Sequence, residues 1–316
     1  QQWNAFIEAA RNLYDILLGP VAPLLSEQLL IIPDGALTAV PFEALLYPDS
    51  LEFLEQRSLP YLIRRHAVSY AVSATVLWQT LQREIPPHFD LDFLGAAPAY
   101  AGLEQFPEVH TWAEEPFSGK RGGFGPLEHS RLEVEEIAGS QGPGTRKKLL
   151  FDQKADKLSF LNGLSAARIG HFAGHAKGYS RYGEFSFLLF GAPAAPGTRI
   201  SESRLFAREI YGWRLPAELV VLSGCETGLG RFRMGEGVIG LGHAFAAAGT
   251  GSLALSLWPV DDPGTRALMT GFYRALYEGL PKHTALRRAK LAQLDANKAP
   301  YFWAPFVLYG DVKALF

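Results

Sequence analysis

The stretch "LVVLSGCETGLG", residues 219–230, sets the only cysteine of a 316-residue chain where an apolar run stops and a glycine-rich loop starts. Such a cysteine is either a small core residue or a thiol held out for chemistry. The thiolate is the reactive species. A free thiol titrates near pH ~8.5, and a histidine, a cation or a helix N-terminus close by eases its ionisation. Two histidines, His171 and His175, stand in "ARIGHFAGHAKG", and His175 precedes Cys225 by 50 residues (225 − 175). An imidazole takes a thiol proton and later returns one to a leaving amine, so a Cys–His pair on neighbouring strand ends is the minimal kit for acyl transfer. Gly224, Gly228 and Gly230 suit tight turns and close approach of the backbone to a ligand. His171 reads as a histidine satisfied inside the sheet. The two histidines have the i, i+4 spacing of a helical metal site, but they fall on a strand and its exit with no third ligand, so no metal is expected.

Other chemistries lack support. "GEGVIG", 235–240, has the letters of a dinucleotide fingerprint, yet it stands ten residues after Gly224 instead of directly after its strand. "GPGTRKK" lacks the phosphate-loop spacing, and no G-x-S-x-G elbow occurs. No cofactor is expected. A single cysteine excludes an intrachain disulfide framework and any four-cysteine metal site, and it fits a reducing, cytoplasmic setting. The formal net charge of −2 gives no electrostatic argument for nucleic acid or an anionic membrane as a partner. No apolar run reaches the roughly 20 residues of a membrane span. The first residues, "QQWNAFIEAARNLYD", lack a signal-peptide pattern and a starting Met, so the chain reads as a piece of a longer protein.

Several elements must position these groups. Apolar residues at helical spacing predict a helix over 3–18. Strands are expected at "QLLIIPDG", "HAVSYAVSA" and "LDFLGAAP". Residues 98–146 are rich in Gly and Pro; only "LEHSRLEVEEIAG" looks helical, and "SGKRGGFGP" reads as a mobile surface loop. Beyond it the pattern predicts strands at 167–174, 185–190, 219–224 and 252–258. Helices are expected at 202–212, 236–248, from Asp262 to near Gly279 and at 283–296, with a last strand at "PFVLYG". Strands alternating with helices, and apolar on both faces, mean a mostly parallel sheet covered on two sides. The organisation expected is an N-terminal helix and first strands over 1–97, a Gly/Pro-rich region over 98–146, and a half over 147–316 that carries the His and Cys.

The ordered motifs resemble a CHAT domain, the caspase-like peptidase domain often attached to TPR repeats. The matching pieces are "LLIIPDGALTAVPFEALL", "DFLGAAP", "LEVEEIA", "IGHFAGHAKG", "LVVLSGCETGLG", "GEGVIGLGHAFAAAGTGSLALSLWPVDD", "LMTGFYRALYEG", "ALRRAKLAQL" and "WAPFVLYGD". They run in the family's order over nearly the whole chain. The resemblance implies a caspase-like three-layer α/β sandwich and a cytoplasmic, bacterial cysteine endopeptidase with a His–Cys dyad. It puts the catalytic histidine at the second of the pair, His175, and the nucleophile at Cys225. The family usually has Gly directly after that histidine to help hold the oxyanion. Ala176 fills the place here, so the N–H groups of Ala176 and Cys225 form the hole provided residue 176 does not require φ > 0.

Specificity is expected from the loops framing this pair, with Gly224, Glu236, Trp258, Asp261 and Asp262 as the substrate-binding set. Asp261 and Asp262 in "WPVDD" would favour Arg or Lys before the cut; alternatively Asp262 caps its helix with Pro263 in the first turn. Glu236 either sits at its helix N-terminus or faces substrate. The partners implied are a protein or peptide substrate and a regulatory protein, ligand or TPR region. The rival reading is a catalytically silent caspase-like scaffold that binds protein partners.

Overall fold

The computed structural model describes residues 2–48, 56–103, 124–179, 183–191, 199–224, 236–258 and 262–316, with backbone alone for residues 2, 56, 236–239 and 262. An eight-stranded sheet runs through the molecule. Its strands are β1 (Gln28–Ile31), β2 (Ala67–Tyr70), β3 (Leu91–Ala97), β4 (Lys147–Phe151), β5 (Ala167–Ala173), β9 (Leu219–Ser223), β10 (Ser252–Ser256) and β11 (Phe306–Gly310). The order is β1-β2-β11-β10-β9-β5-β3-β4. Every neighbouring pair is parallel except β10 with β11. A smaller antiparallel sheet joins β6 (Ala176–Lys177), β7 (Phe187–Leu189) and β8 (Arg204–Phe206).

The central strands are buried on both faces, which is why they read as continuous apolar runs. Along β9, Val220 and Leu222 join one core, while Leu219 and Val221 join the other. The first core is roofed by the helices Lys157–Leu164 and Glu236–Ala247 through Phe160, Leu164, Ala244 and Phe245. The second is roofed by Asp262–Tyr277 and Lys282–Asp295 through Leu268, Phe272, Leu286 and Leu294. Each large apolar side chain fully buried this way contributes about 1.5–3 kcal/mol. The expected three-layer α/β sandwich with a mostly parallel sheet is therefore what forms. No helix among the described residues is long and apolar enough to cross a membrane.

Several local expectations are corrected. The helix expected over 202–212 is instead a 3-10 turn (Ile200–Ser203), strand β8 and a single turn of helix, Ala207–Ile210. Pairing of β8 with β7 outweighs the helical periodicity, and the Glu209 carboxylate caps Phe206 N at 2.9 Å to start the turn. The strand expected through residue 74 stops at Tyr70; Ser73 Oγ then accepts from Val76 N and opens a helix, Ala74–Gln82, that the alternating pattern concealed. Strand β4 and the helix Lys157–Leu164 were also not foreseen. The helix after β10 begins at Asp262 itself. Of "SGKRGGFGP", residues 118–123 lie outside the described residues; at its end Phe124 is buried while Gly125 and Pro126 are exposed.

Candidate functional site

Strand β5 carries the histidine segment to one edge of the sheet. His171 lies within the strand and is fully buried. Its Nε2 lies 2.8 Å from Glu133 Oε1, on the helix Ser130–Gly139, and its Nδ1 lies 3.1 Å from Tyr273 Oη. Carboxylate and hydroxyl thus satisfy both ring nitrogens behind the sheet, leaving no coordination site on that ring. Among the described residues no group of three His, Asp or Glu is arranged to hold a metal ion.

His175 lies just past the strand end. Its backbone N–H donates to Tyr100 Oη at 2.8 Å, and that hydroxyl donates to Leu189 O at 3.0 Å. The imidazole sits between the rings of Tyr100 (4.4 Å between centroids) and Phe124 (5.2 Å). Its Nε2 lies 2.7 Å from Gly125 O. A carbonyl only accepts, so Nε2 carries the proton and Nδ1 the lone pair. Burial pushes the His175 pKa down to about 4, against a smaller upward pull from the Gly125 carbonyl. The ring is thus a neutral base in a fixed tautomer.

Ala176 starts β6 opposite Leu188. His175 O accepts from Leu189 N, and in an antiparallel ladder the next residue's N–H turns away from that neighbour. Among the described non-glycine residues only Asp152 and Asn297 have φ > 0, so Ala176 does not need the freedom of a glycine.

The cysteine strand arrives in register. Ala173 lies opposite Ser223, and Gly174 N bonds Ser223 O at 3.2 Å. Gly224 then lies against the histidine segment: a Cβ there would overlap Gly174 O and stand 3.4 Å from Ala176 N. Only glycine permits that approach. Cys225 and Asp261 lie outside the described residues, as do the side chains of Glu236 and Asp262. Trp258 follows β10 on the same edge, its indole N–H donating to Tyr301 O at 3.0 Å. The structure thus brings His175, Ala176 and Gly224 together and sets Trp258 farther along the edge. Sequence reasoning missed Tyr100, Phe124 and Gly125. A backbone carbonyl leaves no residue signature, and the two rings stood in Gly/Pro-rich surroundings that read as loop.

The model of the CHAT domain matches residues 8–311. Tetratricopeptide repeat protein 28 of Homo sapiens is 28% identical over 346 aligned positions, covering 96% of this chain. Its counterpart from Mus musculus is 26% identical over 348 positions with the same coverage. The chain spans only 13% of the length of these curated relatives. Among solved structures, the complex of Porphyromonas gingivalis RgpB pro- and mature domains aligns with a TM-score of 0.51 and 10% identity, over 99% of this chain and 69% of that one. The Saccharomyces cerevisiae separase–securin complex aligns with a TM-score of 0.48 and 15% identity, over 86% of this chain and 15% of that one.

Proposed function

The chain belongs to the CHAT domain family, and from that premise we propose that it is a cysteine endopeptidase in which His175 and Cys225 form the dyad. The observation that carries this reading is the contact of Gly224 with the Gly174–Ala176 segment. Cys225 is the next residue in the chain, one Cα step of about 3.8 Å from that contact.

In the reaction, His175 Nδ1 takes the thiol proton as Cys225 Sγ attacks the scissile carbonyl carbon. The resulting oxyanion is held by the N–H groups of Ala176 and Cys225; loss of one such donor costs about 10²–10³ in rate. Imidazolium then protonates the departing amine as the C–N bond breaks, which leaves the acyl-enzyme. His175 next deprotonates a water that displaces Sγ, and the thiol is restored. Gly125 O keeps the imidazole in the tautomer these steps need, and Tyr100 fixes the backbone at His175.

Glu236, Asp261 and Asp262 remain proposed selectors of the residue before the cut, with Arg or Lys favoured by the acids. The name of the relatives, and the chain's small share of their length, make a tetratricopeptide repeat region the proposed regulator or substrate-presenting partner. A reducing, cytoplasmic compartment suits a single nucleophilic thiol.

The test compares the chain with its Cys225→Ala and His175→Ala variants on unstructured proteins, with and without a repeat region. A peptide chloromethyl ketone is added in parallel and followed by intact mass. Expected are cleavage and single alkylation by the parent chain only, with alkylation lost in Cys225→Ala. Equal inertness of all three in both assays would leave the scaffold reading standing.

A further inference from the structure

The edge that carries His175 continues past β9. Ala173 pairs with Ser223 and Leu222 pairs with Leu255, and His175 and Trp258 each stand two residues past the ends of their strands, β5 and β10. These strands flank β9 on either side, which separates the two residues by two strand spacings, about 10 Å. Trp258 packs against the cores on both faces, so it is held at the edge. With its N–H committed to Tyr301 O, it presents an apolar ring.

Beyond Trp258 lies a cavity of about 1000 Å³. One wall is the face of the N-terminal helix, Gln2–Leu17, that carries Trp3, Phe6 and Leu13; another is the turn with Val40 and Leu45. Among the described residues, no acidic or basic side chain lines it. The volume stands at the upper end of ligand sites, about 300–1000 Å³, and exceeds one side chain. A charged occupant would lose its hydration there without a partner.

We infer that this cavity is a substrate subsite for a pair of bulky apolar side chains on the peptide being cut. The inference rests on reading His175 and Cys225 as a peptidase dyad. What selects this occupant over a partner helix or a second copy is continuity with the catalytic edge: an extended chain rises about 3.3 Å per residue, so a peptide held at His175 reaches Trp258 about three residues from the scissile bond.

Two measurements test it. In the first, extended peptides with a Leu-Phe pair about three residues to either side of the scissile bond, and their Ser-Ser counterparts, are supplied to the parent chain. One Leu-Phe register is expected to raise kcat/KM about 10–200-fold over Ser-Ser, the range a hydrophobic pocket gives. Ala9→Trp, which fills the cavity from an exposed helix position, is expected to lower that peptide to the Ser-Ser value with an unchanged melting temperature. In the second, binding of the same peptides to Cys225→Ala is followed by quenching of tryptophan fluorescence by a dinitrophenyl tag. Tighter binding of the Leu-Phe peptide, lost in Ala9→Trp, supports the subsite whether or not cleavage is found. Cleavage without apolar preference overturns the subsite and leaves the peptidase reading intact. If no cleavage is seen, equal binding of the two peptides overturns it, as does a dimer of this chain that Ala9→Trp splits.

Discussion

The imidazole of His175 is caged by Tyr100 and Phe124, and the cage sets its proton affinity. A folded pKa of about 4 against an ordinary 6.5 means that the unfolded chain takes up a proton in that interval while the folded chain does not. Stability present above pH ~6.5 is therefore lost as the pH falls, and the loss levels off below pH ~4. The interval corresponds to about 3 kcal/mol. Urea unfolding at pH ~7 and pH ~4.5 is expected to show a larger loss for the parent chain than for His175→Gln, which carries no titrating ring. Equal losses would mean that the ring titrates normally and is not caged. At pH ~7 the ring is neutral and able to accept a proton, while a pKa of about 4 makes it a weaker base than an ordinary histidine.

Among elements, the joint between β5 and β9 matters most. Parallel register brings Ala173 opposite Ser223, and Gly224 then lets the two exits touch. Gly224→Ala would drive a methyl group into Gly174 O and push the exits apart. Overpacking of this kind costs about 1–3 kcal/mol. A displacement of 1 Å at a reacting pair costs about 100-fold in rate. Thermal unfolding should thus show a modest drop in Tm for Gly224→Ala while kcat falls far more steeply. A variant with parental kcat would show that the contact positions nothing. Behind the joint, Glu133 and Tyr273 hold His171, so β5 is anchored to the helices Ser130–Gly139 and Asp262–Tyr277.

At the scale of the molecule, distant segments are tied by buried charge. Lys290 Nζ, on the helix Lys282–Asp295, lies 2.6 Å from Glu43 Oε1, and both side chains are almost wholly buried. Tyr70 donates to the other Glu43 oxygen and accepts from Phe42 N at 2.9 Å. Burial lowers the Lys290 pKa and raises that of Tyr70 well above its ordinary value. Removing one partner of such a pair leaves a bare charge and costs about 3–5 kcal/mol, whereas replacing both with apolar residues is often neutral. Denaturant unfolding of Lys290→Met, Glu43→Leu and the double variant should show the double more stable than either single. Additive losses would show that the two side chains do not interact. This tie holds the turn beside the Trp258 cavity against the second roofing layer, although 247 residues separate the partners.

Composition and periodicity determined a good deal by themselves. Apolar runs at 167–174, 219–224 and 252–258 could only be strands buried on both faces, and the helices between them fixed a covered, mostly parallel sheet. Residue type and order offered a histidine and Cys225 as a candidate chemical pair, and the resemblance to the CHAT family, not spacing, pointed to His175 of the two histidines. Tertiary structure decided what depends on contact between distant segments. Strand β8 formed where 202–212 reads as helix, because β7 offered pairing. The tautomer of His175 was set by a backbone carbonyl at Gly125, which no residue type announces. The apolar cavity exists only where the N-terminal helix meets the end of β10, since a concave surface belongs to no single stretch of chain.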